Sequence, residues 1–219
     1  TTEYFSFFYF SYFAILLVHI IPFLFAVRDV TLLAELSLGV VVLVCSGHLL
    51  YCVVPGHGPY HHLAGRFVHE LDGPLWWPLV KRTVDAVEIS ARTDIFPSLH
   101  TALPTYLALF SVRHRARAPF RWTWLPLAFF AWQIVISTMF LRWHYLVDVV
   151  VGLLLAARTA ILAPRLAAWE ARRRARAGLS PVWTALPRLG WAGLRWPTAS
   201  PRRPSPCGST CAQRTGSAG

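Results

Sequence analysis

Five long apolar runs constrain this chain more than any other feature. They cover residues 4–27, 32–54, 95–112, 122–141 and 145–163. In hydrocarbon only a helix or a closed barrel satisfies its own backbone, and a helix needs about 20 apolar residues to cross. Each run is therefore read as a membrane-spanning helix. The third is short for that role unless Ile95 and Phe96 also lie at membrane depth. Composition agrees, because only 14% of residues are charged, against about a quarter in a soluble domain. The expected fold is all-α: a polytopic transmembrane helix bundle of about five spans, with no internal repeat.

The segments between the runs have their own logic. Pro55-Gly56-His57-Gly58-Pro59 breaks the second helix sharply. From Trp76 to Ile89, apolar Trp77, Val80, Val84 and Val87 recur at helical spacing, with Lys81, Arg82, Asp85 and Glu88 between them. That pattern reads as an interfacial or re-entrant helix. From Pro164 onward the chain holds ten Arg and one acid, Glu170, and so carries +9 of the net +11. Pro, Gly, Ser and Trp fill the rest, so residues 164–219 are expected to be a mostly disordered tail behind a membrane domain of residues 1–163. Basic charge directly after a span points to topology and anionic lipid, with no nucleic acid as partner.

Five spans put Arg28, Arg113, Arg115, Arg117 and Arg121 on the side of the tail, and the acid-rich 55–98 segment on the other. The positive-inside rule then places the tail in the cytoplasm. The expected setting is a bacterial-type plasma membrane. Cys45 and Cys52 are read as small hydrophobes packed in a span, and Cys207 and Cys211 as tail residues without metal-site spacing. The chain opens on an apolar run with neither an initiator Met nor a signal-peptide pattern, as a fragment would.

Two short stretches carry chemistry: Phe96-Pro97-Ser98-Leu99-His100, and Ser137 through Asp148. Ionisable groups at a membrane boundary are costly and imply function. His144 and Asp148 are four apart, so on a helix they share a face. A carboxylate there fixes the imidazole tautomer and stabilises its cation. His100, at the start of the third run, falls on the same non-cytoplasmic side as His144. One oriented nucleophilic histidine and one acid histidine make a phosphoryl-transfer constellation. Ser98, just before a helix, is an N-cap candidate and a compatible phosphate binder. His57, His61, His62 and His69 match no standard zinc spacing. They are read as solvated loop histidines, and the chemistry needs no metal or other cofactor.

At these residues the chain resembles the type 2 phosphatidic acid phosphatase superfamily. Pro97-Ser98-Leu99-His100 matches that family's P-S-x-H motif, and Ser137, His144 and Asp148 match its S-R-x5-H-x3-D motif with Thr138 in place of Arg. The wording S-T-M-x-L-x-x-H-Y-x-V-D, and the Pro55 and Gly58-Pro59 pair, more closely resemble the branch containing fungal inositol phosphorylceramide synthase. The resemblance covers roughly residues 32–163. It implies that His144 attacks phosphorus, that Asp148 holds its ring, and that His100 protonates the leaving oxygen. It implies a phospholipid or lipid-linked phosphate as substrate, with water or an alcohol as acceptor. The family's basic first motif, K-x6-R-P, is missing. Arg142, Lys81 and Arg82 are the expected replacements, with Arg66 and Arg92 as further candidates. The missing motif also supports a different class, a catalytically degenerate membrane protein or transporter subunit.

Overall fold

The computed structural model describes residues 1–26, 29–88 and 94–183. Seven helices account for most of them: α1 (Thr2–Ala26), α2 (Val30–Val53), α3 (Pro59–His62), α4 (Trp76–Glu88), α5 (Leu99–Arg113), α6 (Phe120–Phe140) and α7 (Leu146–Arg176). There is no strand among the described residues. Four of them (α1, α2, α6 and α7) are long and apolar enough to cross a membrane. The fifth expected span, α5, is a 15-residue helix, about 22 Å at 1.5 Å per residue. It sits inside the bundle, packed against α2, α6 and α7. Short length is tolerable there because its neighbours, rather than lipid, surround it.

The helices alternate in direction. Asp29 caps α2, accepting the Thr31 and Leu32 amides at 3.0 and 3.4 Å. Its carboxylate also meets Arg117, beyond the end of α5, at 2.7 Å. Partial burial acts against its charge, but those amides and Arg117 outweigh it and hold the Asp29 carboxyl below its ordinary pKa. The breaks after α1 and after α5 therefore lie at one end of the bundle. Glu35, the acid interrupting the second apolar run, is buried at this end. It meets His114 Nε2 at 3.2 Å and Arg113 Nε at 3.7 Å, as a buried carboxylate requires.

The core is the shared interior of α2, α5, α6 and α7, built on Leu36, Leu43, Tyr106, Leu107, Phe110, Phe120 and Ala156. Tyr106 donates its hydroxyl hydrogen to the Glu35 carbonyl at 3.1 Å, tying α5 to α2. At the other end α4 lies across α1, with Trp77 and Val80 buried as the periodicity indicated. Its docking has a cause the sequence did not disclose. Glu3, on α1, accepts the amides of Leu75, Trp76 and Trp77 at 3.3, 2.8 and 3.0 Å. A carboxylate is favoured at a helix N-terminus, where amides lack partners and the dipole is positive.

Three expectations need correction. The last helix does not stop at Ala163: α7 runs through Pro164 to Arg176. Pro164 removes one amide donor, but Ala163 and Ala167 are buried on either side of it. The Ala- and Arg-rich stretch beyond has high helix propensity, aided by a Glu170–Arg174 pair at 3.5 Å. Residues 184–219, with Cys207 and Cys211, lie outside the described residues. Cys45 and Cys52 are not packed inside but exposed on the bundle surface. Finally, His144 is not on a helix with Asp148, because α7 begins two residues after it.

Candidate active site

The third-motif stretch turns on a helix C-terminus. Beyond the end of α6, the Arg142 amide bonds Met139 O at 3.0 Å and the Trp143 amide bonds Thr138 O at 3.1 Å. These are the two bonds of a Schellman cap, whose pivotal residue must be left-handed. That residue is Arg142, at φ 64°. The His144 amide also bonds Thr138 O, at 3.3 Å. Thr138, the departure from the usual motif, is thus buried under the turn that carries His144. Trp143 packs into a cluster with Tyr9, Trp77, Val80 and Leu141. Tyr60 N–H bonds Arg142 O at 2.8 Å, so the loop after α2 clasps the turn.

Asp148 stands in the first turn of α7. Its Oδ2 accepts the Tyr145 amide at 2.8 Å and lies 3.7 Å from His144 Nδ1. Both side chains are nearly buried, at 7% and 4% exposure. The pair is made by the cap at the start of α7, not by one helical face. Among the described residues His144 Nδ1 is buried without a hydrogen-bond partner, and Asp148 Oδ2 is the carboxylate oxygen that faces it.

The second motif enters from α5. Ser98 is fully buried as the N-cap, its Oγ accepting the Thr101 amide at 3.2 Å. Its own amide bonds Asp148 O at 3.1 Å, which sets α5 and α7 side by side at their N-termini. The approach is close: a Cβ on Gly152 would lie 2.7 Å from Ser98 O. The Phe96–Pro97 peptide is cis. His100 then projects toward His144, with ring centroids 6.3 Å apart. Tyr9 stacks on His100 at 4.8 Å and Tyr12 lies 4.4 Å from it.

The two histidines line a cavity of about 330 Å³. Its walls are mostly aromatic and aliphatic, from α1 (Tyr9, Phe10, Tyr12, Phe13), α4 (Val80, Val84) and Trp143. Polar groups come from His48, Tyr51, Thr83 and Asp94. His48 Nδ1 donates to Val44 O at 2.8 Å. The α1 aromatics, His48 and Tyr51 had no assigned role in the sequence, since the aromatics lie in apolar runs and His48 stands there as a lone interruption. Only the four-residue recurrence of Tyr9 and Phe13 would have marked a face.

The expected phosphate-binding cations are not brought to this cavity. The Arg142 guanidinium stacks on Phe67 at 3.8 Å and bonds His69 O at 2.9 Å. Lys81 pairs with Asp85 at 2.6 Å, with its ammonium 5.9 Å from the Tyr60 ring. Arg82 and Arg66 are exposed, and Arg92 lies outside the described residues. Among the described residues no Lys or Arg lines the cavity. His57, His61, His62 and His69 are exposed, and no group of His, Cys, Asp or Glu among the described residues has a metal-holding arrangement.

Comparison with known proteins adds one finding. The family model described as the PAP2 superfamily matches residues 2–162, extending through α1 as well as both motifs. Neither the curated proteins nor the solved structures returned a match. With the match spanning most of an all-helical membrane bundle, the chain belongs to the PAP2 superfamily of phosphatase-type phosphoryl-transfer enzymes.

Proposed function

We propose that the protein cleaves a lipid or lipid-linked phosphate ester through a phosphohistidine on His144. The observation that carries this is the junction of His144, Asp148 and His100 at one end of the bundle, around a largely apolar cavity. Its volume is at the low end for ligand sites. It suits a head group while acyl chains stay among the surrounding lipids.

His144 Nδ1 faces Asp148 and keeps its proton, so the lone pair on Nε2 attacks phosphorus. The bond from phosphorus to the ester oxygen breaks, and that oxygen takes a proton from His100. In the second step water attacks phosphorus, giving a proton to His100, and the N–P bond breaks. Phosphate leaves and His144 is regenerated. Asp148 offsets the charge that develops on the ring. Splitting the transfer uses an intrinsically good nucleophile twice, and acid–base help from His100 is worth roughly 10²–10⁴-fold. A catalytic hydrogen bond is often long before substrate arrives. The 3.7 Å His144–Asp148 separation is of that kind. The N-terminus of α5, which brings Leu99 and His100 to the cavity, supports phosphate binding, with the buried Ser98 capping that helix.

A second reading is transfer of a phosphorylated head group to an alcohol. Two observations favour it: the third-motif wording with Thr138, and the polar rim of His48, Tyr51 and Asp94 beside the histidines. The arginine-rich end lies opposite the cavity, and by the positive-inside rule the site then faces the non-cytoplasmic leaflet. The test is a detergent assay with labelled phosphatidic acid and phosphatidylinositol, with and without alcohol acceptors. Release of labelled phosphate, with an acid-labile phosphoenzyme absent in His144→Ala, is expected. Label appearing in the alcohol instead of water selects the transferase. Turnover by His144→Ala at the parental rate would refute the nucleophile.

A further inference from the structure

The end of the molecule opposite the cavity carries a second feature that the proposed chemistry does not use. Because α7 continues past Pro164, three arginines from two helices converge. Arg113, at the end of α5, and Arg165 and Arg172, on α7, line a cleft of about 370 Å³ together with Ile161, Pro164 and Ala168. Arg172 is shared with a neighbouring cleft lined by Trp169, Arg173 and Arg176. Arg113 is anchored: its Nη1 donates to Ala160 O at 3.2 Å, and its Nε lies 3.7 Å from the buried Glu35. Arg165 and Arg172 are exposed, and among the described residues nothing pairs with them.

Membrane depth decides what such a cleft meets. Counting from Leu146, Arg165 lies about 28 Å along the helix and Arg172 about 39 Å. With Leu146 at one edge of a roughly 30 Å hydrocarbon core, the opposite polar layer, roughly 5–8 Å thick, begins near Arg165 and ends just short of Arg172. The cleft therefore spans the head-group layer of the leaflet opposite the catalytic cavity. Its apolar lip, Ile161, is exposed one turn before Arg165, within the hydrocarbon. Trp169, 53% exposed on the same helix, stands at head-group depth with Arg173 5.4 Å from its ring, as an interfacial anchor does.

We infer that the Arg113–Arg165–Arg172 cleft binds the head-group phosphate of an anionic phospholipid in the leaflet opposite the active site. The ligand carries its phosphate among the three guanidiniums and its acyl chains along the exposed face at Ile161. Arginine suits the task because its planar fork matches phosphate oxygens in pairs.

The test uses the full chain in detergent, with phosphatidylglycerol as probe, read by thermal shift and by retained lipid in native mass spectrometry. The parent is expected to bind saturably, and phosphatidylcholine much more weakly. A lost charge-assisted hydrogen bond to phosphate costs roughly tenfold, so the pair Arg165→Gln with Arg172→Gln should weaken binding about a hundredfold. Arg165→Lys with Arg172→Lys keeps the charge but loses the paired donors, so its affinity should fall between those of the parent and the glutamine pair. Arg115→Gln with Arg121→Gln removes the same charge from the same end outside the cleft, and should bind as the parent does. Equal loss in that control would overturn the site in favour of diffuse surface charge. Equal binding of phosphatidylcholine would overturn the anionic assignment. Displacement by inorganic phosphate at lipid-like concentrations would show a free-anion site instead. Should the glutamine pair fail to fold, the parent alone decides. Its affinity must fall steeply between 50 and 500 mM salt, since exposed charges are screened, and a flat response overturns the proposal.

Discussion

Asp148→Asn separates the two jobs that the carboxylate performs. Oδ2 accepts the Tyr145 amide at 2.8 Å and lies 3.7 Å from His144 Nδ1. An asparagine carbonyl can still accept from Tyr145, so the start of α7 should survive. What disappears is the negative charge beside the ring. Two unit charges at 3.7 Å interact by about 4.5 kcal/mol at an effective dielectric near 20. If the imidazole turns cationic in the transition state, losing that term slows turnover roughly 10³-fold. Asp148→Ala should show the same rate loss and, having lost the cap, about 1 kcal/mol of stability as well. The assay is phosphate release from short-chain phosphatidic acid, paired with thermal unfolding in the same detergent. If Asp148→Asn turns over at the parental rate, the carboxylate is only a helix cap and the proposed pair is wrong.

Other outcomes follow from the same geometry. Gly152→Ala puts a Cβ 2.7 Å from Ser98 O, a backbone atom that must shift. A cost of about 1–3 kcal/mol is expected in the unfolding midpoint, and at least tenfold in kcat because His100 moves with Ser98. A fully active, equally stable variant would contradict this packing. Arg142→Met removes a guanidinium held by Phe67 and His69, not one lining the cavity. Vanadate inhibition should stay within about threefold of the parent, while the unfolding midpoint drops by the equivalent of roughly 1 kcal/mol. A lost vanadate response would return Arg142 to phosphate binding. Activity should persist in EDTA, since the proposed steps pass through side chains alone. Loss restored by one metal would point back to the exposed loop histidines.

The sequence by itself determined the kind of protein. Apolar runs of bilayer length leave a backbone no alternative to helices, so the bundle and the amphipathic α4 were legible from pattern alone. Ser98, His100, His144 and Asp148 stood out as candidates by type and spacing, and alternating spans put both histidines at one end. What spacing could not show was the geometry that joins them. His144 and Asp148 are four apart, which suggested one helical face. The structure instead makes them meet across a Schellman cap and a helix start, because Arg142 turns left-handed. Pattern also missed contacts between segments far apart in the chain. Glu3 holding α4, and Tyr9 and Tyr12 packed on His100, join α1 to elements more than seventy residues away. Nor did pattern show where the Arg142 and Lys81 side chains go. A long cationic side chain goes to whatever partner lies within reach, here Phe67 and His69 for one and Asp85 for the other. Local pattern sets which helices form. Which side chains share a cavity is decided only when those helices pack, because that depends on close approaches such as Gly152 against Ser98.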